Sequence, residues 1–193
     1  MPRTREFSET EVLNQAMEVF WSKGYEATSL QDLISAMGIS KSSFYGTFGS
    51  KHELFLSAIE NYVETQTRNF VSLIDDEPSG KAAIENIFQI ITGFVSTKDE
   101  ARGCFLCNCA VEISQRDPAA AAIVAHGMER IEEAFYRAVS RGQEAGEIPA
   151  GRDARALARY LVSSENGLMV MVKANRGREV IADVVKTVLS VLE

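Results

Sequence analysis

Residues 25–55 read YEATSLQDLISAMGISKSSFYGTFGSKHELF, and this stretch holds two short helices separated by a glycine. Thr28 with Gln31 has the spacing of a capping box, in which a short hydroxyl accepts from the backbone N–H three residues on, and it opens a helix through about Met37. Gly38 ends that helix, because a residue without a Cβ takes up the positive φ such a turn requires. Ser40 then caps a helix from Lys41 to about Thr47, and Ser50 with Glu53 opens the next. Helix, tight glycine turn and helix within about twenty residues form a helix-turn-helix, whose second helix enters the major groove of DNA.

The same punctuation continues on either side. Ser8 with Glu11 precedes Val12, Ala16, Val19 and Phe20, which share one helical face, and Gly24 follows as a stop. This predicts a first helix from about Phe7 to Lys23. The helix opened at Ser50 carries Leu54, Phe55, Ala58, Ile59, Tyr62, Val63 and Phe70 at helical spacing until the acidic segment Asp75 to Gly80, with Pro78, breaks it. Further helices are expected near 80–97, 103–116, 118–145, 152–174 and 177–192, separated by Gly103, Asp117-Pro118, the Gly146 to Gly151 turn and Gly177. With four prolines and no run of strict apolar alternation, the fold class is all-α with about nine helices. The division expected is residues 1–50 and 51–193, joined inside the helix that starts near Ser50.

Composition sets limits on function. The chain has 193 residues, 46% hydrophobic and 24% charged, as in an ordinary globular protein. Its net charge of −7 argues against binding nucleic acid by bulk attraction. Yet Leu33 to His52 contains no Asp or Glu and carries Lys41, Lys51 and His52, a local basic island. No apolar run approaches the roughly 20 residues that span a bilayer, and the N-terminus shows no secretory signal, so a cytoplasmic protein without a membrane partner is expected. Cys104, Cys107 and Cys109 lie too close together for a disulfide framework and are expected as reduced thiols.

The segment Ser40 to Phe48 suits contact with DNA. Short hydroxyl side chains allow close approach to phosphates, Lys41 supplies charge, and Tyr45 offers a ring to thymine methyls and a hydroxyl to phosphate. Phe44 and Phe48, four apart, are expected to face inward. Gly38-Ile39-Ser40, Tyr45 to Phe48 and Ser50-Lys51-His52-Glu53-Leu54 together resemble the N-terminal signature of the TetR (tetracycline repressor) family over about the first 55 residues. The resemblance implies base or phosphate contacts from Lys41, Ser42, Ser43, Tyr45 and Thr47, and phosphate-facing positions at Thr28 and Lys51. Two residues depart from the usual pattern. Ile34 stands four before Gly38, where a small residue is frequent, and Gly46 costs about 1 kcal/mol against Ala inside a short helix.

Ala154, Leu157, Ala158, Leu161, Leu168 and Met169 follow helical spacing, as do Val180, Ile181, Val184, Val185, Val188, Leu189 and Leu192. These faces suit either the core of one chain or an interface. The family resemblance implies a C-terminal effector-binding and dimerisation domain. In it, Leu157, Leu161, Leu168, Val184, Val185, Val188 and Leu192 would meet their twofold mates. It further implies a homodimer on a palindromic double-stranded operator, released by an unidentified effector that is either a small molecule or an oxidant or electrophile.

Arg102-Gly103-Cys104 opens a middle helix, and three readings of the cysteines stand. They are small buried hydrophobes, or Cys104 is a thiolate sensor favoured by Arg102 and the helix dipole, or the three hold a metal. The third is weakened because only Cys104 and Cys107 share a helical face. The expected sensor region comprises Cys104, Cys107, Asn108, Tyr62, Gln66, Glu165 and Lys173, with Glu112 another polar candidate. A thiol oxidoreductase using Cys104 and Cys107 is disfavoured: no βαβ pattern or Gly-rich phosphate loop is present, and neither His52 nor His126 has a nucleophile partner. No enzyme activity, cofactor or metal is therefore expected.

Overall fold

A computed structural model of the protein describes residues 8–94 and 102–193. Helices α1 (Glu9–Lys23), α2 (Leu30–Met37), α3 (Lys41–Phe48) and α4 (Lys51–Tyr62) are followed by a π-helical turn (Val63–Thr67) that leads without a break into α5 (Arg68–Asp75). Then come α6 (Gly80–Gly93), α7 (Phe105–Glu112), α8 (Pro118–Glu144), α9 (Ala154–Lys173) and α10 (Arg178–Leu189), which ends in a 3-10 turn (Ser190–Leu192). With α4 and α5 counted as one helix, the described residues form nine helices and no strand, the all-α class expected. The expected helix ends at Phe7 and residue 97 lie outside the described residues. No helix among them is long and apolar enough to cross a membrane.

The chain forms two compact units, residues 1–65 with 108–124, and residues 66–107 with 125–193. It passes between them inside the π turn, inside α7 and inside α8. The first unit thus extends beyond residue 50 and takes in a later segment.

In the first unit α1 packs on α2 and α4, and α3 rests on α4. The stripe read from the sequence forms its core, with Val12, Ala16, Phe20, Leu33, Met37, Phe44, Leu54, Phe55, Ala58 and Ile59 all buried. Phe20 meets Phe55 edge-on at 5.1 Å, an aromatic arrangement that adds to simple area burial.

In the second unit α6 contacts α5, α9 and α10. Ile84, Ile87, Phe88, Phe105, Phe135, Leu161 and Ile181 are buried there. Glycine brings two backbones together: a Cβ at Gly80 of α6 would collide with the Ala138 carbonyl and the Gly142 backbone of α8. Charged side chains complete the helix ends. Arg141 donates to the Ile74 and Glu77 carbonyls at 2.8 and 3.1 Å, where α5 terminates. Glu147 accepts from Ser79 Oγ and Lys81 N at 2.9 and 3.1 Å, and these bonds at the start of α6 hold its carboxyl below the usual range.

Several caps differ from expectation. Ser8 occupies the N-cap of α1, but its side chain makes no cap hydrogen bond, and Glu9 and Glu11 complement the helix dipole instead. The capping box of α2 is Ser29 with Asp32, one residue later than Thr28 with Gln31. The Thr28 hydroxyl is engaged elsewhere, donating to the Gly24 carbonyl at 2.5 Å. Helix α7 is also shorter than 103–116, and Cys104 precedes its first residue.

Candidate nucleic-acid interface

Local chemistry builds the helix-turn-helix. Asp32 accepts from both the amide and the hydroxyl of Ser29, at 2.9 and 2.7 Å, and from Lys23 Nζ at 2.6 Å. The Lys23 bond, followed by those from Ser29, holds the Asp32 carboxyl far below the usual range. Gly38 takes the left-handed conformation, φ 62°, and turns the chain toward Ser40. The Ser40 side chain accepts from Ser43 N at 3.1 Å and starts α3. Gly49, φ 70°, ends α3, and Ser50 Oγ accepts from Glu53 N at 3.1 Å to begin α4.

Helix α3 is sharply two-sided. Phe44 is fully buried, with Phe48 beside it at 6.1 Å, while Lys41, Ser42 and Gly46 are exposed and Tyr45 is 49% exposed. Ser43 and Thr47 are half-buried. Five of the seven residues matched to DNA contact therefore lie along α3, and Lys51 follows at the first turn of α4. Thr28 does not join them: it is 1% exposed and bonded to Gly24, so its side chain braces the loop after α1 and offers nothing to a phosphate.

Around Lys51 the structure assembles residues that spacing alone does not connect. Lys51 Nζ lies 4.4 Å from the centroid of the Tyr25 ring. Burial, and after it the nearby Glu26 and Asp117, raise the Tyr25 hydroxyl above its ordinary pKa. His52 Nδ1 is 3.3 Å from Asp117 Oδ2. The other Asp117 oxygen caps α8, accepting from Ala119 N and Ala120 N at 3.0 and 3.1 Å. Glu112, expected near a ligand, instead accepts from Tyr25 N at 3.1 Å and Glu26 N at 2.9 Å. The one trace of this in the sequence is Gly24, read only as a helix stop.

The expected sensor residues divide between the two units. Tyr62, edge-on to Trp21 at 5.2 Å, and Asn108 belong to the first. The second holds Cys104, Cys107, Gln66, Glu165 and Lys173. There the Cys107 thiol donates to Asn166 Oδ1 at 2.8 Å, and a Cβ on Gly103 would lie 3.3 Å from Lys173 Cβ, so the start of α7 packs on α9. Glu165 is 5% exposed, and its Oε2 has no hydrogen-bond partner. Burial first, then the electrostatic influence of Cys104, push its carboxyl well above the usual range. Gln66 is exposed. All three cysteines are buried, and among the described residues no three His, Cys, Asp or Glu side chains stand together as a metal site needs.

The expected interface residues are mostly core. Leu157, Leu161, Leu168, Val185, Val188 and Leu192 are 0–7% exposed within the single chain, so little of their surface remains for a partner. Val184 alone of the seven is half-exposed. A groove of about 450 Å³ on α9 and α10 is lined by Tyr160, Ser164, Gly167, Met171 and Thr187 together with Leu168, Val184 and Val188 of that expected set.

Comparison with known proteins agrees with this arrangement. Residues 12–58 match the family described as bacterial regulatory proteins, tetR family, and residues 80–188 match the tetracyclin repressor-like C-terminal domain. The chain is 37% identical to the HTH-type transcriptional regulator YezE of Bacillus subtilis (strain 168) over the full length of both. It is 29% identical to the HTH-type transcriptional repressor ComR of Escherichia coli (strain K12), over 97% of this chain and 90% of that one. A cysteine-substituted form of the TetR family regulator CifR, solved on 26-base-pair double-stranded operator DNA, superposes with a TM-score of 0.87 at 28% identity, covering 99% of this chain and 100% of that one. With its helix-turn-helix and its C-terminal domain both matched, the chain belongs to the TetR family and is a DNA-binding transcriptional regulator, not an enzyme.

Proposed function

We propose that the chain represses transcription in the cytoplasm as a homodimer, with α3 of each protomer in the major groove of one half of a palindromic operator, and that an effector taken up by the C-terminal region releases it. Residues 1–50 serve as the DNA-binding domain and residues 51–193 as the effector-binding and dimerisation domain. The observation that carries this reading is the two-sidedness of α3: Phe44 anchors it at zero exposure while Lys41, Ser42 and Tyr45 project outward. Ser43 and Thr47 flank that face, and Lys51 reaches a phosphate from the start of α4, where backbone N–H groups also favour an anion. A relative solved on operator DNA supports the same use of the fold.

The homodimer is supported by the groove on α9 and α10, whose Tyr160, Ser164, Gly167 and Met171 recur on one helical face. Twofold pairing would set the spacing of two α3 helices, and an effector acts by favouring a spacing that no longer fits the operator. The effector is a small molecule or a thiol-reactive oxidant or electrophile. The buried Glu165 Oε2, which has no hydrogen-bond partner, supports its uptake in this region.

The test is a gel-shift titration of purified protein on its own upstream DNA, followed by footprinting. Protection of an inverted repeat, weakened in Lys41→Ala and Tyr45→Ala without change in oligomeric state, is the expected result. Failure to shift any upstream fragment at low salt would overturn the reading.

A further inference from the structure

Lys51 occupies an unfavourable place for a cation. It is the first residue of α4, where the helix dipole attracts anions and gives an ammonium no support. The Tyr25 ring supplies that support, since Lys51 Nζ lies 4.4 Å from its centroid and the face of an aromatic ring attracts a cation. The ring is itself fixed from two sides. Phe55 lies 4.6 Å away and Phe20 stacks at 6.2 Å. From below, Glu112 Oε2 accepts from Tyr25 N at 3.1 Å and Glu112 Oε1 accepts from Glu26 N at 2.9 Å.

A single carboxylate near the end of α7 therefore uses both oxygens on two consecutive amides of the loop after α1. Such charge-assisted bonds are stronger than neutral ones, and the paired geometry fixes direction as well as distance. The loop admits it only because residue 24 is glycine: its φ is +82°, and a Cβ there would lie 2.7 and 2.9 Å from the two Glu112 oxygens. Helix α4 receives a second tie one residue further on, through His52 and Asp117.

We propose that Glu112 is a positioning residue for operator binding: by holding the Tyr25 and Glu26 amides it places the Tyr25 ring, and the ring places the Lys51 ammonium for its phosphate. Glu112 touches no DNA. The inference rests on the reading of Lys51 as a phosphate contact, and the experiment separates the two.

Operator affinity is measured by fluorescence anisotropy across a salt series on the footprinted fragment, for wild type, Lys51→Ala, Glu112→Gln and the double variant. Lys51→Ala is expected to weaken binding and lower the slope of log affinity against log salt by about one. Glu112→Gln, which replaces one accepting oxygen by a donor, is expected to weaken binding about fivefold when Lys51 is present, the scale of one cation–ring contact, and not at all when it is absent. Tyr25→Leu should lose the same factor, and Tyr25→Phe should restore it. An equal loss from Glu112→Gln with and without Lys51, or full affinity in Tyr25→Leu, overturns the positioning role. Should Glu112→Gln fail to fold, the Tyr25 pair decides. Unchanged affinity and slope in Lys51→Ala would remove the phosphate contact itself, and the positioning role with it.

Discussion

The Cys107 thiol donates to Asn166 Oδ1 across 2.8 Å, pinning the first turn of α7 to α9. The residue before Asn166 is Glu165, and Cys104, three residues before Cys107, is near enough to act electrostatically on its carboxyl. Glu165 has little access to water, and its Oε2 has no hydrogen-bond partner. Burial therefore favours the neutral acid, and the nearby sulfur adds to that preference.

A raised carboxyl makes stability depend on pH in a definite direction. Above the ordinary value of 4.5 the folded chain holds on Glu165 a proton that the unfolded chain releases, so the stability contribution is full below 4.5 and is lost as pH rises toward the folded value. Glu165→Gln, neutral at every pH, should therefore raise Tm relative to wild type more at pH 8 than at pH 5. Thermal denaturation at the two values checks this; a difference of the same size at both would show that Glu165 is not held neutral.

Two glycines in helices should respond oppositely to alanine. At Gly80 a Cβ would enter the Ala138 carbonyl and come within 2.5 Å of Gly142 N, both backbone atoms that cannot swing away. Gly80→Ala is expected to cost about 3 kcal/mol through overpacking. At Gly46 nothing lies within 4 Å of a Cβ, and φ is not positive. Gly46→Ala should therefore stabilise α3 by about 0.5–1 kcal/mol, the ordinary helix preference for alanine. Urea unfolding of both variants reads the contrast.

Gly167 lies in the groove of α9 and α10, exposed, with no atom of the chain within 4 Å of a Cβ. An arginine there fits the single protomer but places a charge in the proposed dimer face, where an unpaired buried charge is strongly unfavourable. Gly167→Arg should elute as a single chain and show a large loss of operator affinity. A variant that remains dimeric would move the interface elsewhere.

The thiol reading of the effector has its own check. Cys104 is 7% exposed and stands between Arg102 and the start of α7. Mild peroxide or an electrophile should lower operator affinity in wild type and leave Cys104→Ser unaffected. Equal loss in both proteins would exclude Cys104, and no loss in either would direct the search to a non-covalent ligand.

Much of the first unit was readable in advance because its signals are local. Gly38 and Gly24 end helices by backbone conformation, and Ser40 and Ser50 cap them by reaching an amide three residues away. The two-sidedness of α3 follows from Phe44 and Phe48 at a spacing of four. Even here a neighbour could redirect a local choice: Thr28 turns back to Gly24, and the cap of α2 passes to Ser29 and Asp32.

The sequence by itself determined the helical class, the order of the helices and the exposed face of α3, because each depends on residues within one or two turns of one another. Only the tertiary structure decided that Leu161 and Val188 belong to the protomer's own core, since an apolar period shows that a face is buried and not what buries it. It alone decided that Glu112 grips Tyr25 and Glu26, and that Cys107 donates to Asn166. Those partners lie dozens of residues apart, and no periodicity along the chain encodes which of many distant polar groups the packing of helices will bring together.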